Sequence, residues 1–312
     1  MNLVFCGTPE FAVPTLKKLV GSGHQVRLVV SQPDRPSGRG QELAAPPVKR
    51  EAQSLGLPVV QPDKIKNNQE FRAQLEAAAP DAIIVVGYGR IIPKWMIDLP
   101  HHGNINLHAS LLPKYRGAAP IQWAIARGET VTGVTTMRID EGLDTGDILL
   151  QREIAIEPED TAVTVGPRLA ELGAELMVTT LKGLEAGTIQ PRKQDHTEAT
   201  LAPILQKEDG RIDFNREAPE VLNRLRGFQP WPGAFTTFRG KNLTLQRARL
   251  AAYGMGPLVP GELKSAGDDL FVGCGEGTAL QVLELQPEGK RRMSTKDFVH
   301  GYRPKAGERL GV

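Results

Sequence analysis

A row of polar side chains with catalytic potential lies in residues 104–108, which read Asn-Ile-Asn-Leu-His. Side chains alternate between the two faces of a β-strand, so Asn104, Asn106 and His108 would share one face. An amide can donate to an oxyanion on a reacting carbonyl group, and an imidazole can donate or carry a proton near neutral pH. A purely structural polar row at a strand end would show the same alternation. The spacing alone leaves both interpretations open.

A second group with chemical potential is the acidic loop at residues 140–147, which reads Asp-Glu-Gly-Leu-Asp-Thr-Gly-Asp. Its spacing does not fit the alternating ligands of an EF-hand. His101, His102 and His108 also make a poor metal cluster, so we predict no metal. In open α/β sheets, ligands bind beyond the carboxyl ends of the strands. We assign both this loop and the segment after His108 to such ends, and expect them to form one site.

The elements that must position these groups are short apolar strands alternating with amphipathic helices. The predicted strands cover residues 3–6, 26–31, 83–86, 104–108 and 133–139, and the predicted helices cover residues 14–22, 69–79 and 164–184. This alternation predicts an α/β fold with a doubly wound, mainly parallel, Rossmann-like sheet.

The remaining part of the chain has a different pattern. Residues 189–207 are polar, contain proline and show little periodicity, which is typical of a linker. One helix at residues 218–226 follows, and then short strands at 235–238, 243–248, 269–272 and 280–286. We therefore predict a catalytic domain at 1–188, a linker at 189–207 and a smaller OB-type β-barrel domain at 208–312.

Charge and composition constrain partners only weakly. The net charge is +2, but from residue 204 onward 17 Lys and Arg face 13 Asp and Glu. This excess favours nucleic acid contact there, although an ordinary solvated surface explains it about as well. Two distant cysteines give no disulfide framework, and the chain opens on a strand rather than a signal peptide. We expect a cytoplasmic monomer without membrane contact.

One competing class loses its support at the first strand. Residues 7–12 follow that strand, where a dinucleotide fingerprint would lie, but they read Gly-Thr-Pro-Glu-Phe-Ala and lack the second and third glycines. Close approach of a pyrophosphate is therefore not provided for. The sequence also contains no Walker A loop and no His-Glu-x-x-His pair. A nicotinamide-dependent dehydrogenase is disfavoured.

Two segments carry a specific resemblance. Residues 106–120 read Asn-Leu-His-Ala-Ser-Leu-Leu-Pro-Lys-Tyr-Arg-Gly-Ala-Ala-Pro and resemble the signature of the folate-dependent formyltransferases. Residues 143–147 resemble the catalytic aspartate loop of the same family. The resemblance implies that Asn106, His108 and Asp144 move the formyl group of 10-formyltetrahydrofolate onto an amine. Asn106 and protonated His108 would hold the oxyanion, and Asp144 would orient His108.

The same resemblance implies where the folate binds. The contacts would come from the segment after His108, from the loop after the third strand and from the acidic loop. The residues implied are Ser110, Leu111, Leu112, Pro113, Gly87, Tyr88, Arg90, Ile91 and Asp140.

A further resemblance concerns the acceptor. Residues 32–41 read Gln-Pro-Asp-Arg-Pro-Ser-Gly-Arg-Gly-Gln and resemble the insertion loop of the branch that formylates methionine attached to initiator tRNA. Arg39 occupies the position of that loop's important arginine, and residues 205–213 and 230–233 resemble the branch's second domain. We predict tRNA contacts from Arg35 and Arg39, and from the basic run of the C-terminal part, Lys290, Arg291 and Arg292.

Three alternatives remain. A formyltransferase acting on an amino sugar nucleotide or on glycinamide ribonucleotide would share the three catalytic residues. A formyl-folate hydrolase would use similar chemistry with water as acceptor. The basic loop argues against both. A non-enzymatic RNA-binding protein built on the C-terminal barrel would leave Asn106, His108 and Asp144 without a purpose.

Overall fold

The computed structural model describes residues 1–37, 42–252 and 258–311. The chain forms two compact units, each assembled from separate stretches of sequence. Unit 1 comprises Met1–Pro120, Val131–Ala155 and Gly166–Ala202. Unit 2 comprises Ile121–Thr130, Ile156–Val165 and Pro203–Val312. Each unit is described below by itself.

Unit 1 contains a seven-stranded sheet with the strand order β5-β2-β1-β6-β7-β8-β9 and a separate hairpin formed by β3 and β4. Its strands are β1 (Asn2–Gly7), β2 (Gln25–Val30), β3 (Arg35–Ser37), β4 (Glu42–Ala44), β5 (Val59–Val60), β6 (Ala82–Val86), β7 (Asn104–His108), β8 (Val131–Arg138) and β9 (Ile148–Ala155). The central strand β6 is buried along its whole length, as expected for a strand covered on both faces. The strand order reverses between β1 and β6, which is a topological switch point.

The five neighbouring strands β5, β2, β1, β6 and β7 are parallel. Strand β8 is antiparallel to β7, and β9 is antiparallel to β8. This changes the expected position of the acidic loop. Arg138 at the end of β8 pairs with Ile105 near the start of β7, so the acidic loop begins near the amino end of β7. The rule that ligands gather beyond carboxyl ends therefore does not explain how this loop reaches the segment after His108.

The helices confirm the predicted alternation and add elements without a strong apolar period. They are α1 (Val13–Val20), α2 (Pro47–Ser54), α3 (Gln69–Ala77), α4 (Lys94–Ile97), α5 (Pro120–Ala126), α6 (Ala162–Glu185), α7 (Ala218–Gly227) and α8 (Thr295–Tyr302). No helix within the described ranges combines the length and the apolar character needed to cross a bilayer.

Helices cover both faces of the unit 1 sheet at β7. On one face, Phe71 of α3 and Met96 of α4 are buried in one cluster with residues of β1 and β6. On the other face, α6 approaches Leu107 so closely that a Cβ at Gly173 would lie 2.6 Å from the leucine side chain. A larger residue at this helix position would have to displace the end of the Leu107 side chain, so α6 packs closely on β7.

Residues 189–202 fall within the predicted linker but belong to unit 1. Arg192 exchanges two backbone hydrogen bonds of 2.8 Å with Ile148 at the start of β9. Arg116 pairs with the same segment further on, because its N–H donates to Thr200 O and its carbonyl accepts from Ala202 N. Backbone pairing of this kind needs no apolar side-chain period, which is why the pattern of the sequence suggested a linker.

Unit 2 is rich in strands. Its antiparallel sheet has the order β10-β11-β14-β13-β12, with β15 beside β14. The strands are β10 (Ala234–Phe238), β11 (Lys241–Leu250), β12 (Leu263–Ala266), β13 (Asp269–Gly273), β14 (Ala279–Pro287) and β15 (Met293–Ser294). Phe298 of α8 is fully buried and packs on Phe238 and Tyr302 within the core. The predicted fold class, a doubly wound α/β domain followed by a smaller strand-rich domain, is confirmed.

Arg226 of α7 stabilises unit 2 in a way that yields a prediction. Its Nη1 donates to three backbone carbonyls, those of Glu157, Pro158 and Asp160, at 3.2, 2.9 and 3.0 Å. Replacing it by methionine leaves these carbonyls without the charged donor. We expect Arg226→Met to lower the free energy of unfolding by about 2 kcal/mol or more.

The matched control is Arg216→Met, because Arg216 forms only exposed ion pairs with Asp213 and Glu220. Such pairs contribute about 0–1 kcal/mol. Thermal and urea unfolding of both variants measure the difference, and equal losses of stability would show that the three carbonyls are satisfied without Arg226.

Candidate functional site

His108 ends β7 and is only 6% exposed. Its Nε2 lies 2.8 Å from the carbonyl oxygen of Tyr115, and because a carbonyl can only accept, Nε2 must carry the proton. Its Nδ1 lies 3.7 Å from Oδ2 of Asp144, which is longer than a normal hydrogen bond. A doubly protonated ring would therefore face an acceptor from each nitrogen.

Asp144 is held in an unusual backbone conformation. Its φ of 51° lies in the left-handed region, which costs energy for a residue with a side chain and is common at functional sites. Its Oδ2 accepts a hydrogen bond of 2.8 Å from the N–H of Gly117. At Gly146, an added Cβ would lie 1.9 Å from the carbonyl oxygen of Arg138, so the loop can pass only with glycine there. The structure thus brings Asp144 to His108 through a tightly folded loop.

The two asparagines of the shared face differ in what they do. Asn104 is 1% exposed, and its Nδ2 donates to the carbonyls of Met96 and Ile97 at 2.8 and 3.1 Å. It therefore ties β7 to α4. Asn106 is half-buried, and within the described ranges its side chain has no hydrogen bond partner. The amide of Asn106 is thus available to bind a reacting group.

The segment after His108 contributes mainly structural contacts. Ser110 is fully buried, and its Oγ donates to the carbonyl of Lys114 at 2.6 Å. Leu112 is buried against Met137 and Ile148. Leu111 and Pro113 are only half-buried. Of the four residues predicted to contact folate here, Leu111 and Pro113 have side-chain surface to offer, whereas Ser110 and Leu112 shape the segment.

The loop after β6 presents one apolar side chain to solvent. Ile91 is 91% exposed, whereas Tyr88 is buried, and burial raises the pKa of its phenol well above the ordinary range. Tyr88 can therefore contact a ligand through its backbone only. Lys94 Nζ, just after this loop, lies 3.8 Å from Oε1 of Glu141, so the loop and the acidic loop are neighbours. Leu143 of the acidic loop is likewise 65% exposed.

Asp140 and Arg90, two further predicted folate contacts, are engaged within the protein. Asp140 Oδ1 accepts from Gly142 N and Thr145 Oγ1 at 3.0 and 2.7 Å, which folds the acidic loop on itself. Arg90 Nε donates to Gln32 Oε1 at 3.1 Å, and its side chain is half-buried. The atoms left for a ligand are the second carboxylate oxygen of Asp140 and the two terminal guanidinium nitrogens of Arg90.

A cleft of about 520 Å³ lies at the switch point of the unit 1 sheet, beyond the ends of β1, β2 and β6. Thr8 and Pro9 line it from the first of these strands, Gln32 and Arg35 from the second, and residues 87–89 from the third. Gln32 joins two of these walls, because its Nε2 donates to the carbonyl of Tyr88 at 3.1 Å. The cleft and the predicted folate wall therefore share the loop after β6.

The predicted tRNA loop, residues 32–41, contains β3, which pairs antiparallel with β4. Residues 38–41, with Arg39, lie outside the described residues. Asp34, just before β3, accepts from Gln61 at 2.7 Å and pairs with Lys49 at 2.7 Å. The hydrogen bond from Gln61 and then that from Lys49 lower the pKa of this carboxyl. Arg35 follows directly and lines the cleft.

The basic run of unit 2 is only partly free. Arg292 forms an ion pair with Glu284, which also binds Arg247 at 3.3 Å. Lys290 and Arg291 are exposed and have no ion-pair partner among the residues the structure describes. The positive charge available to a polyanion therefore lies on Lys290 and Arg291 more than on Arg292.

Two residues of the site escaped the sequence analysis as functional candidates. Gln194 lies in the predicted linker but is 6% exposed, and its amide binds the backbone of the Asp144 loop. Arg116 lies within the signature segment, is 7% exposed and donates to Gln194. No periodic pattern of the sequence relates position 194 to position 144, so only the tertiary structure reveals this contact.

The fold and the site define an α/β enzyme in which an asparagine, a histidine and an aspartate gather at one strand of a mixed sheet. Residues 1–181 match the formyl transferase family, and residues 204–303 match the formyl transferase C-terminal domain. The chain belongs to the formyl transferase family, as the resemblance of its motifs predicted.

Curated relatives match over the full length. A methionyl-tRNA formyltransferase from Koribacter versatilis is 67% identical over 311 residues, which cover 100% of this chain and 99% of the relative. One of the same name from Acidobacterium capsulatum is 65% identical over 312 residues and covers both chains completely.

Solved structures agree in fold. An N-formyltransferase from Helicobacter canadensis has a TM-score of 0.68 at 19% identity, covering 92% of this chain and 99% of the other. Methionyl-tRNA formyltransferase from Clostridium thermocellum has a TM-score of 0.52 at 19% identity, covering 81% and 95%. At such identity these likenesses support the fold alone.

Proposed function

We propose that the protein transfers the formyl group of 10-formyltetrahydrofolate to the amino group of methionine esterified to initiator tRNA. The observation that carries the proposal is that Asp144 lies 3.7 Å from His108 at the end of β7, on the strand face that also carries Asn106. The full-length relatives named methionyl-tRNA formyltransferase, at 65–67% identity, support this acceptor. The product serves translation initiation, and we expect a cytoplasmic, monomeric enzyme that needs no metal ion.

The reaction requires one new bond and one broken bond. The methionyl amine attacks the formyl carbon, and the carbonyl oxygen becomes an oxyanion in a tetrahedral intermediate. The bond between that carbon and N10 of the folate then breaks, the amine loses a proton and N10 gains one. A bound water can carry the proton away from the amine. The protein must stabilise the oxyanion and need not supply a nucleophile.

Asn106 is the side chain best suited to the oxyanion, because its amide has no competing partner in the described part of the chain. His108 is already bonded through Nε2, so Nδ1, at 3.7 Å from Asp144, is the ring atom that can most easily change partner. Catalytic hydrogen bonds are often long before substrate binds. In this proposal Asp144 orients the ring and stabilises its charged form, as carboxylates do beside other catalytic imidazoles.

The donor and the acceptor would bind on the two sides of the loop after β6. We assign the folate to the side with Ile91 and Leu143, whose exposed side chains offer an apolar wall. We assign the acceptor end of the tRNA to the switch-point cleft, which Arg35 lines. The proposed C-terminal domain, residues 208–312, would bind tRNA phosphates through Lys290, Arg291 and, less strongly, Arg292.

A transfer assay with 10-formyltetrahydrofolate tests the proposal. It compares charged initiator tRNA, charged elongator tRNA and free methionine as acceptors, and the proposal requires initiator tRNA to be preferred. Efficient transfer to an amino sugar nucleotide or to glycinamide ribonucleotide, with none to tRNA, would assign the protein to another branch of its family. Release of formate without transfer would indicate a hydrolase.

Arg39→Ala should strongly impair formylation of charged tRNA. Two arginines in a glycine- and proline-rich segment suit a nucleic acid backbone, and an arginine fork can pair with phosphate or a base edge. Any slow formyl-folate hydrolysis should stay unchanged, because the catalytic residues lie on β7 and the acidic loop. Arg39→Lys should rescue only in part. Equal loss of activity with and without tRNA would instead link Arg39 to the folate site or to folding.

A further inference from the structure

Gln194 uses every hydrogen-bonding group of its amide. Its Nε2 donates to the carbonyls of Asp144 and Gly146 at 2.9 and 2.8 Å. Its Oε1 accepts from Nε and Nη2 of Arg116 at 3.1 and 2.6 Å. The network also fixes the orientation of the amide, because a flipped amide would point its oxygen at two carbonyls and its donors at a guanidinium.

These bonds link the two segments that hold His108. On one side, Arg116 lies between Tyr115, whose carbonyl accepts from His108 Nε2, and Gly117, whose N–H binds the Asp144 carboxylate. On the other side, Gln194 binds the backbone of Asp144 itself. The contacts thus form a closed network. It runs from the imidazole through Tyr115, Arg116 and Gln194 to the backbone of Asp144, whose carboxylate faces the imidazole.

This network holds Asp144 in a strained backbone conformation. Asp144 adopts a left-handed φ of 51°, a conformation that persists only where surrounding contacts impose it. The two carbonyls that Gln194 binds belong to Asp144 itself and to Gly146, so the amide holds the backbone on the C-terminal side of the strained φ. Without those two bonds the acidic loop can relax, and the carboxylate is then free to move relative to the ring of His108.

We infer that Gln194 is a positioning residue, which sets the geometry between Asp144 and His108 from a distance and touches neither side chain. The inference rests on the proposed function and deepens it, because it names a group outside the signature on which the transfer step depends. Gln194 acts on the chemical step and not on the binding of either substrate, so kcat should respond while KM does not.

The test variant is Gln194→Met, which keeps the length and approximate volume of the side chain and removes the hydrogen bonds to Arg116, Asp144 and Gly146. We expect kcat to fall about 10–100-fold, by analogy with the loss found when hydrogen-bond partners that orient metal ligands are removed. KM for the folate and for charged tRNA should change less than about twofold, because the variant keeps the contacts that bind the substrates equally in the ground state and the transition state.

Gln281→Met is the matched control. Gln281 is also buried, at 8% exposure, and its amide likewise accepts from an arginine, Arg249, and donates to an oxygen, of Asp269. It lies in the unit 2 sheet, outside the proposed site. This control should show a comparable loss of thermal stability with unchanged kcat. A merely structural role of Gln194 predicts the same behaviour for both variants.

A second measurement does not depend on activity. In protein labelled with ¹⁵N-histidine, the ring signals of His108, identified by their loss in His108→Gln, should shift in Gln194→Met and stay in place in Gln281→Met. Unchanged signals together with unchanged kcat in Gln194→Met overturn the inference. If wild-type protein transfers no formyl group, the proposed function fails, and the ring signals alone then decide whether Gln194 positions His108.

Discussion

Asp144→Asn is expected to lower kcat for formyl transfer on the order of 10⁴-fold, the scale seen when a carboxylate that supports a catalytic imidazole becomes an amide. The amide oxygen can still accept from Gly117 N, so the fold should be retained. The same oxygen lies nearest Nδ1 of His108, at 3.7 Å, so an amide oxygen at this position would still face the imidazole but would carry no negative charge. A neutral amide stabilises the imidazolium form of His108 much less than a carboxylate does.

Single-turnover formylation of charged initiator tRNA measures the effect, and thermal unfolding serves as its control. The melting temperature of Asp144→Asn should stay within about 4 °C of wild type, which corresponds to roughly 1 kcal/mol for a domain of this size. Near-normal turnover in a normally folded variant would remove Asp144 from the mechanism. A large drop in melting temperature would instead indicate that the carboxylate mainly maintains the strained loop.

Asn106→Ala is expected to lower kcat, whereas Asn104→Ala is expected to lower stability, although both residues lie on one face of β7. Loss of Asn106 removes an oxyanion donor and should lower kcat about 10²–10³-fold. Stability should barely change, since this amide has no partner among the described residues. Loss of Asn104 removes the bonds to the buried carbonyl of Met96 and the partly buried carbonyl of Ile97, which should cost about 1–3 kcal/mol.

The crossed pair is measured by kcat and by urea unfolding on the same preparations. Asn104→Ala should retain most of the wild-type kcat under conditions where it is folded. If Asn104→Ala loses turnover as severely as Asn106→Ala, the assignment of a structural role to Asn104 and a catalytic role to Asn106 is wrong. If Asn106→Ala formylates at the wild-type rate, oxyanion stabilisation must come from His108 or from backbone N–H groups.

The sequence by itself determined the local geometry of the site. The period of two in residues 104–108 places Asn104, Asn106 and His108 on one face, and β7 has those bounds in the structure. The alternation of strands with helices such as 164–184 determined the fold class, since α6 covers Ala162–Glu185. Both conclusions rest on periodicity, which acts over a few residues and is written directly in the chain.

Only the tertiary structure decided which groups meet. Asp144 reaches His108 although β8 runs antiparallel to β7, and the acidic loop begins at the other end of that strand. Gln194, within a segment that reads as a linker, bonds to residues 50 and 78 positions away in the chain. These contacts depend on reversals of chain direction and on single pairs of polar groups that follow no sequence period. No local pattern in the sequence could therefore predict them. The same reason separates Asn104 from Asn106: identical residues on one face differ only in what the fold places against them.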